Sequence, residues 1–447
     1  MDKKKGLFSS LRELVPNNGK AFSHILVSLK TPNFRLYFGG MCVSLIGTWM
    51  QQIAMSWLVY ELTGSVFMLA TIAFMAQIPI LLATPFMSVL VDRYNRRNIL
   101  VVTQSLSALQ ALLLAWLTLS GLVQVWHLMA LSLLIGLINA LDNPTRQAFY
   151  PSLVPKENLS NAIALNSAVI NGSRLIGPAI GGVIIGILGE GICFLANGIS
   201  FLGVIFALLA MKLPPYHKKE ITQNILTDLR EGFNYVSHSI PLRALLLMMC
   251  SISFFGLPLM TFIPAYVKDT LQGGSEMLGV MLSCIGIGSF SSAIYLAARK
   301  SVVGLGKVVT IAGVLLGLTL ISLSFIDIPW MAAIVCIPVG FSIIITVASI
   351  NTLLQTLSDE DKRGRVMGYL AMTFTGITPI GSMILGAVEK YIGLSSIILL
   401  SGICCTIAGF IFEHYRPLVR KYARPIYIQK GIIKEIAVGI NNAEETF

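Results

Sequence analysis

A chain of 447 residues with 55% hydrophobic and only 12% charged residues cannot cover a water-soluble surface, because soluble domains carry about 25% charged residues. The deficit puts much of its surface against lipid and excludes a soluble enzyme. The formal net charge of +11 would suit a nucleic-acid binder, but its distribution along the chain assigns it to one side of a membrane.

Residues 1–35 form a basic lead (Lys3, Lys4, Lys5, Arg12, Lys20) without the short apolar core and small-residue cleavage site of a signal peptide. They read as a cytoplasmic N-terminal segment. A helix that crosses ~30 Å of hydrocarbon needs about 20 apolar residues. Such runs follow at Leu36–Tyr60, Val66–Val91, Asn98–Leu119, Val125–Leu141, Asn161–Leu188 and Gly191–Met211. The polar stretch at residues 212–241 holds Pro214, Pro215, Lys218 and Lys219. Its Leu226, Leu229, Phe233 and Val236 spacing predicts an amphipathic helix on the inner membrane surface. Six further runs are Leu242–Val267, Met277–Ala298, Val308–Phe325, Trp330–Leu357, Val366–Val388 and Ile392–Phe412. Residues 416–447 mix bases with Ile426, Ile428, Ile432 and Ile433, as a cytoplasmic tail resting on the inner leaflet would. In lipid the backbone must satisfy itself, and runs this long do so as helices. The expected architecture is an all-α membrane protein of 12 transmembrane helices in two six-helix bundles, residues 36–211 and 242–415.

Of the 32 Lys and Arg, only Lys268 and Lys390 fall in the loops opposite the N-terminus, and apart from Arg243 at the cytoplasmic edge of the seventh run only Arg174 lies inside a span. This asymmetry puts both termini in the cytoplasm of a bacterial-type inner membrane, and it accounts for the basic charge without nucleic acid. The seven cysteines sit in apolar runs and the five histidines are scattered, so neither set implies a metal or a cofactor.

The halves repeat one another in order. At a shift of 209, Gly47, Leu62, Gly64 and Met68-Leu69 meet Gly256, Leu271, Gly273 and Met277-Leu278. At 208, Asn143 and Gln147 meet Asn351 and Gln355, and at 204, Ile176-Gly177 and Gly182 meet Ile380-Gly381 and Gly386. A parallel repeat of six helices implies a binding site between the halves that is exposed to each side in turn.

Three segments carry a family resemblance. Ser88-Val-Leu-Val-Asp92-Arg93-Tyr94-Asn95-Arg96-Arg97 resembles the Gly-x-x-x-Asp-Arg-x-Gly-Arg-Arg loop of the major facilitator superfamily, with Ser88 and Asn95 in place of two glycines. Asn tolerates the left-handed backbone that the second glycine would supply. The fifth run contains Ser173-Arg174-Leu-Ile-Gly177-Pro178-Ala-Ile-Gly181-Gly182, which resembles the antiporter motif of that superfamily. Asp142-Asn-Pro-Thr-Arg146, with Asn171-x-x-Arg174, is similar to the group that includes the enterobactin exporter and drug and siderophore efflux proteins. The resemblance implies gating by Asp92, Arg93, Arg96 and Arg97, with Arg96 bridging Asp92 to Asp142. It implies efflux of a siderophore or drug-like molecule by a monomer in the lipid bilayer, with protons as the counter-flow. The small residues of the antiporter motif also read simply as a packing surface.

Arg174 stands near the bilayer centre, where a charge is expensive and faces the protein interior or a cavity. It reads either as an attractor of anionic substrate or as a lock on neighbouring helices through Asn, Gln or carbonyl partners. The first, fourth, seventh and tenth helices line the cavity in this superfamily, so Trp49, Gln51, Gln52, Asn139, Asn351 and Gln355 join Arg174 as substrate-binding candidates. Gln51 and Gln52, about 100° apart on a helix, cannot face the same way. Import of a ferric siderophore, and a non-transporting sensor or scaffold, are the alternative functions. The spans hold no Ser/His, Cys/His, paired-acid or HExxH constellation that would make an enzyme.

Overall fold

A computed structural model describes residues 27–212, 225–299 and 301–433. The basic residues of the N-terminal lead, Pro214, Pro215, Lys218, Lys219 and the last part of the tail lie outside them. Among the described residues there is no strand, and twelve helices are long and apolar enough to cross a membrane. They are α1 (Pro32–Thr63), α2 (Val66–Arg93), α3 (Arg96–Leu119), α4 (Val125–Phe149), α5 (Leu159–Leu188) and α6 (Glu190–Ala210). The second six are α7 (Ile240–Thr270), α8 (Ser275–Ala298), α9 (Leu305–Ser324), α10 (Pro329–Leu357), α11 (Arg363–Ile392) and α12 (Leu394–Gln429). An even number of crossings puts the start of α1 and the end of α12 at one end, which is also the basic end.

Local chemistry sets the boundaries. Gly64, at φ +56°, ends α1, and Ser65 caps α2 by accepting from the Met68 amide at 3.3 Å. Gly189 and Gly393, at φ +82° and +80°, turn α5 into α6 and α11 into α12. A side chain is strained at that φ, and the two positions are 204 apart, the same shift that relates the motifs of the fifth and eleventh runs.

The repeat extends to packing. Gly47 of α1 lies against Asn197 and Ser200 of α6, and its equivalent Gly256 of α7 lies against Cys405 of α12. Gly136 of α4 meets the Ala76 carbonyl of α2, while Gly340 of α10 meets the Ile285 carbonyl of α8. Gly136 and Gly340 let two backbones approach where a side chain would hold them apart, and Gly47 and Gly256 leave room for side chains of the facing helix.

One expectation, the end of the last helix, is corrected, and two further features add to the expected organisation. The linker helix, Ile225–His238, packs on the second bundle. Glu231 pairs with Arg365 at 2.7 Å, the Tyr235 hydroxyl accepts from the Asp359 amide at 3.1 Å, and Lys362 lies 4.7 Å over the Tyr235 ring. It is an amphipathic helix seated on the α10–α11 loop. The last helix does not stop near Phe412 but runs to Gln429, with Val419 and Ala423 buried. Lys430 then donates to the Thr356 and Ser358 carbonyls at 2.7 and 2.9 Å, capping the end of α10. In addition, α7 and α11 are not regular. Ile252–Gly256, Tyr266–Thr270 and Thr373–Ile377 are π-helical, the kind of local widening that recurs at functional sites.

Candidate functional site: a cavity between the bundles

The bundles meet along two seams, both in the half away from the basic end. In the first, the Gly182 backbone of α5 lies against Ser275 and Gly279 of α8, and Glu276 lies over Gly186. The Ser283 hydroxyl donates to the Leu175 carbonyl at 3.2 Å. In the second, Gly386 of α11 lies against Val66, Phe67 and Ala70 of α2. Gly182 and Gly386 are repeat equivalents, so the seal is two-fold symmetric. Tyr60 of α1 closes it at the rim by donating to Asp269 of α7.

The basic half is open. A side chain added at Gly172 of α5, or at Gly364 or Gly368 of α11, would meet nothing within 4 Å. Ala164, Ser167 and Ala168 of α5 are exposed. A cavity therefore enters from the basic end and stops where the α5–α8 seam begins, at Leu175.

Removing the Tyr60 hydroxyl isolates the rim latch. A hydrogen bond to a carboxylate as exposed as Asp269 is worth about 1 kcal/mol. Tyr60→Phe should raise the labelling rate of a cysteine placed at Ser275 several-fold; an unchanged rate would remove the latch from the seal.

Arg174 stands next to Leu175, at the floor of the cavity. Gly177 and Gly181 of α5 face α1, against Trp49 and against Met50 and Ile53. Leu175 and Gly182 face α8. Helical spacing places Arg174 between those two faces. Its guanidinium lies 5.1 Å from the Trp49 ring centre, and its Nε is buried without a hydrogen-bond partner. Among the described residues no Asn, Gln or carbonyl lock holds it.

The other candidates divide. Gln52, exposed, faces away from both α5 and α6. Asn139 is half-buried on α4. Gln355 and Asn351 bond to each other at 3.1 Å near the basic end of α10, at the mouth rather than the floor. Gln51 does not join them: it donates to Gln110 at 3.1 Å and accepts from Asn197 at 2.7 Å, tying α1 to α3 and α6. Polar Gln104, Gln110 and Asn197 within apolar runs were the available signals for such internal links.

The expected Arg96 bridge between Asp92 and Asp142 is absent. Arg96 pairs with Asp92 at 3.7 Å and donates to the Ala148 carbonyl of α4 at 3.0 Å. Asp142, 1% exposed, accepts from Thr103 at 2.6 Å, Gln104 at 2.9 Å and Arg146 Nε at 3.1 Å. Arg146, one turn on along α4, is the arginine that pairs with Asp142. Arg97 donates to the Leu209 carbonyl of α6 at 2.7 Å, while Arg93 is exposed. Asn95 does not take up a left-handed backbone either: at φ −64° it caps α3, accepting from the Arg97 amide at 3.0 Å. Gly177, Pro178, Gly181 and Gly182 are all buried, on surfaces where α5 packs against α1 and α8.

Residues 24–424 match the family described as transmembrane secretion effector. The staphyloferrin A transporter of Staphylococcus aureus is 25% identical over 85% of this chain and 96% of its own length. The multidrug efflux pump Tap of Mycolicibacterium fortuitum is 24% identical over 80% of this chain and 90% of its own. Among solved structures, the peptide transporter POT superposes with a TM-score of 0.70 at 10% identity, over 87% of this chain and 95% of that one.

Proposed function

Because the chain belongs to the transmembrane secretion effector family of the major facilitator superfamily, and is therefore a small-molecule transporter and not an enzyme, we propose that it exports a siderophore or drug-like molecule across the cytoplasmic membrane. The positive-inside rule puts the basic end in the cytoplasm. The cavity then faces the cytoplasm, with the seams sealing it from outside. The observation that carries this reading is the open basic half ending at Arg174 and Trp49, beneath a seal of small residues on α5 and α8. Cargo loads from the cytosol and leaves when the seal parts and the basic half closes. The S. aureus relative, named a staphyloferrin A transporter, supports the cargo class, and the M. fortuitum relative, named a multidrug efflux pump, supports the direction.

Proton entry is the proposed counter-flow. Asp142 is the acid for the role, because it is buried at the Arg146 contact and its protonation would release that arginine. Siderophore release under iron starvation tests the function. Deleting the gene should raise cellular retention of the siderophore, and restoring it should reverse that. Secretion unchanged by deletion, together with loss of ferric-siderophore uptake, would replace export with import.

A further inference from the structure

We infer that the cargo is a small organic anion whose acidic group is held by Arg174 against Trp49 at the cavity floor, an inference that rests on the export reading above. The observations start from charge. Arg174 lies halfway along α5, in a helix long enough to span the membrane, where an uncompensated cation is costly and is retained for a reason. Among the described residues no carboxylate pairs with it, and no Asn, Gln or carbonyl oxygen accepts from it. The acids of the spans lie toward helix ends, and the innermost, Asp142, is already engaged by Arg146, Thr103 and Gln104.

Packing does not explain the residue. The contact of α5 with α1 is made by Gly177 and Gly181, and that with α8 by Gly182 and Leu175. Arg174 contributes to neither seam but sits where they converge. Trp49 covers one side of its guanidinium, which fixes the plane without neutralising the charge. A fork of planar N–H donors at the end of a cavity matches a carboxylate or another acidic oxyanion in two-point fashion. The exposed Arg93 and the other bases at the mouth give the approach the same sign, so an anion is drawn in and a cation opposed. The compensating charge missing from the protein is the one the cargo brings.

The test uses the full chain in detergent and two probes of matched size, 3-hydroxy-2-naphthoate and the neutral 3-hydroxy-2-naphthamide. Wild type should bind the carboxylate at least about ten-fold more tightly than the amide, the scale of one charge-assisted contact. Arg174→Gln should erase the preference, and Arg174→Lys, which keeps the charge, should retain part of it. If Arg174→Gln does not fold, Arg174→Lys carries the test through a reduced but surviving preference. Equal affinities in wild type, no binding of either probe, or an undiminished preference in Arg174→Gln overturns the inference. Uptake of the naphthoate into everted vesicles separates the two readings. Charge-selective binding without uptake sinks export and leaves the anion site standing. Equal uptake by wild type and Arg174→Gln does the opposite.

Discussion

Gly182→Val should abolish transport while leaving a folded protein, trapped with the α5–α8 seam open. A β-carbon at Gly182 would stand 2.7 Å from the Ser275 carbonyl oxygen and 2.8 Å from the Gly279 α-carbon, and both are backbone atoms that cannot swing aside. The contact joins the two bundles, so it exists only while that seam is shut. Overpacking of this kind costs about 1–3 kcal/mol or more, enough to change the ratio of two conformations by roughly 5–150-fold. The measurement is labelling by a membrane-impermeant maleimide of a single cysteine at Ser275, in a background without the seven native cysteines. The rate should rise by at least about ten-fold, within that range, as efflux falls. Gly288→Val is the matched control. Its β-carbon would stand 1.9 Å from the Ile337 carbonyl of α10, a contact inside one bundle that rigid-body rocking preserves. That variant should lose yield and thermal stability instead of changing sidedness. Equal loss of stability in both variants would show that the α5–α8 seam does not open.

This difference between two kinds of glycine marks what could be read in the sequence and what could not. Length and hydropathy fix the spans, because lipid leaves a long apolar segment no alternative to a helix. The ordered repeat reaches further, to the pairs Gly47 with Gly256 and Gly182 with Gly386, since small residues recur where backbones must touch. Arg174 stood out because a charge in mid-membrane is rare. Pairing was not legible in the same way. Spacing gives the face of a helix, while a partner depends on how neighbouring helices are rotated and how deep they sit. Gln51 was as eligible for the cavity as Gln52 until Asn197 and Gln110 claimed it. Arg96 was in range of Asp142 by family pattern, but Arg146 lay one turn away on the same helix. Hydropathy also ended the last span near Phe412, because Arg416, Arg420, Lys421 and Arg424 look like a tail. A helix needs no apolar face once it has left the bilayer, and α12 continues until Lys430 reaches the end of α10.

The Asp142–Arg146 pair is where charge removal should have its largest effect on stability. Asp142 is buried and Arg146 is mostly so, with 2% and 21% of their side chains exposed. Removing one member of such a pair leaves a charge without compensation and costs about 3–5 kcal/mol. Asp142→Asn leaves Arg146 as that orphan and gives Thr103 and Gln104 a weaker acceptor, whereas Arg146→Met strands the carboxylate. Each single variant should unfold in detergent at markedly lower denaturant. The double variant, which removes both charges, should recover most of the loss. The cycle formed by these four proteins should give a coupling of at least about 2 kcal/mol, within the range for contacting residues. Because the double variant is the stable one, it also serves to test proton coupling. If Asp142 carries the proton, efflux by the double variant should no longer respond when nigericin collapses the pH gradient, whatever basal efflux remains. A double variant that folds and still follows the pH gradient would move proton binding to another acid and leave Asp142–Arg146 as the tie between α3 and α4.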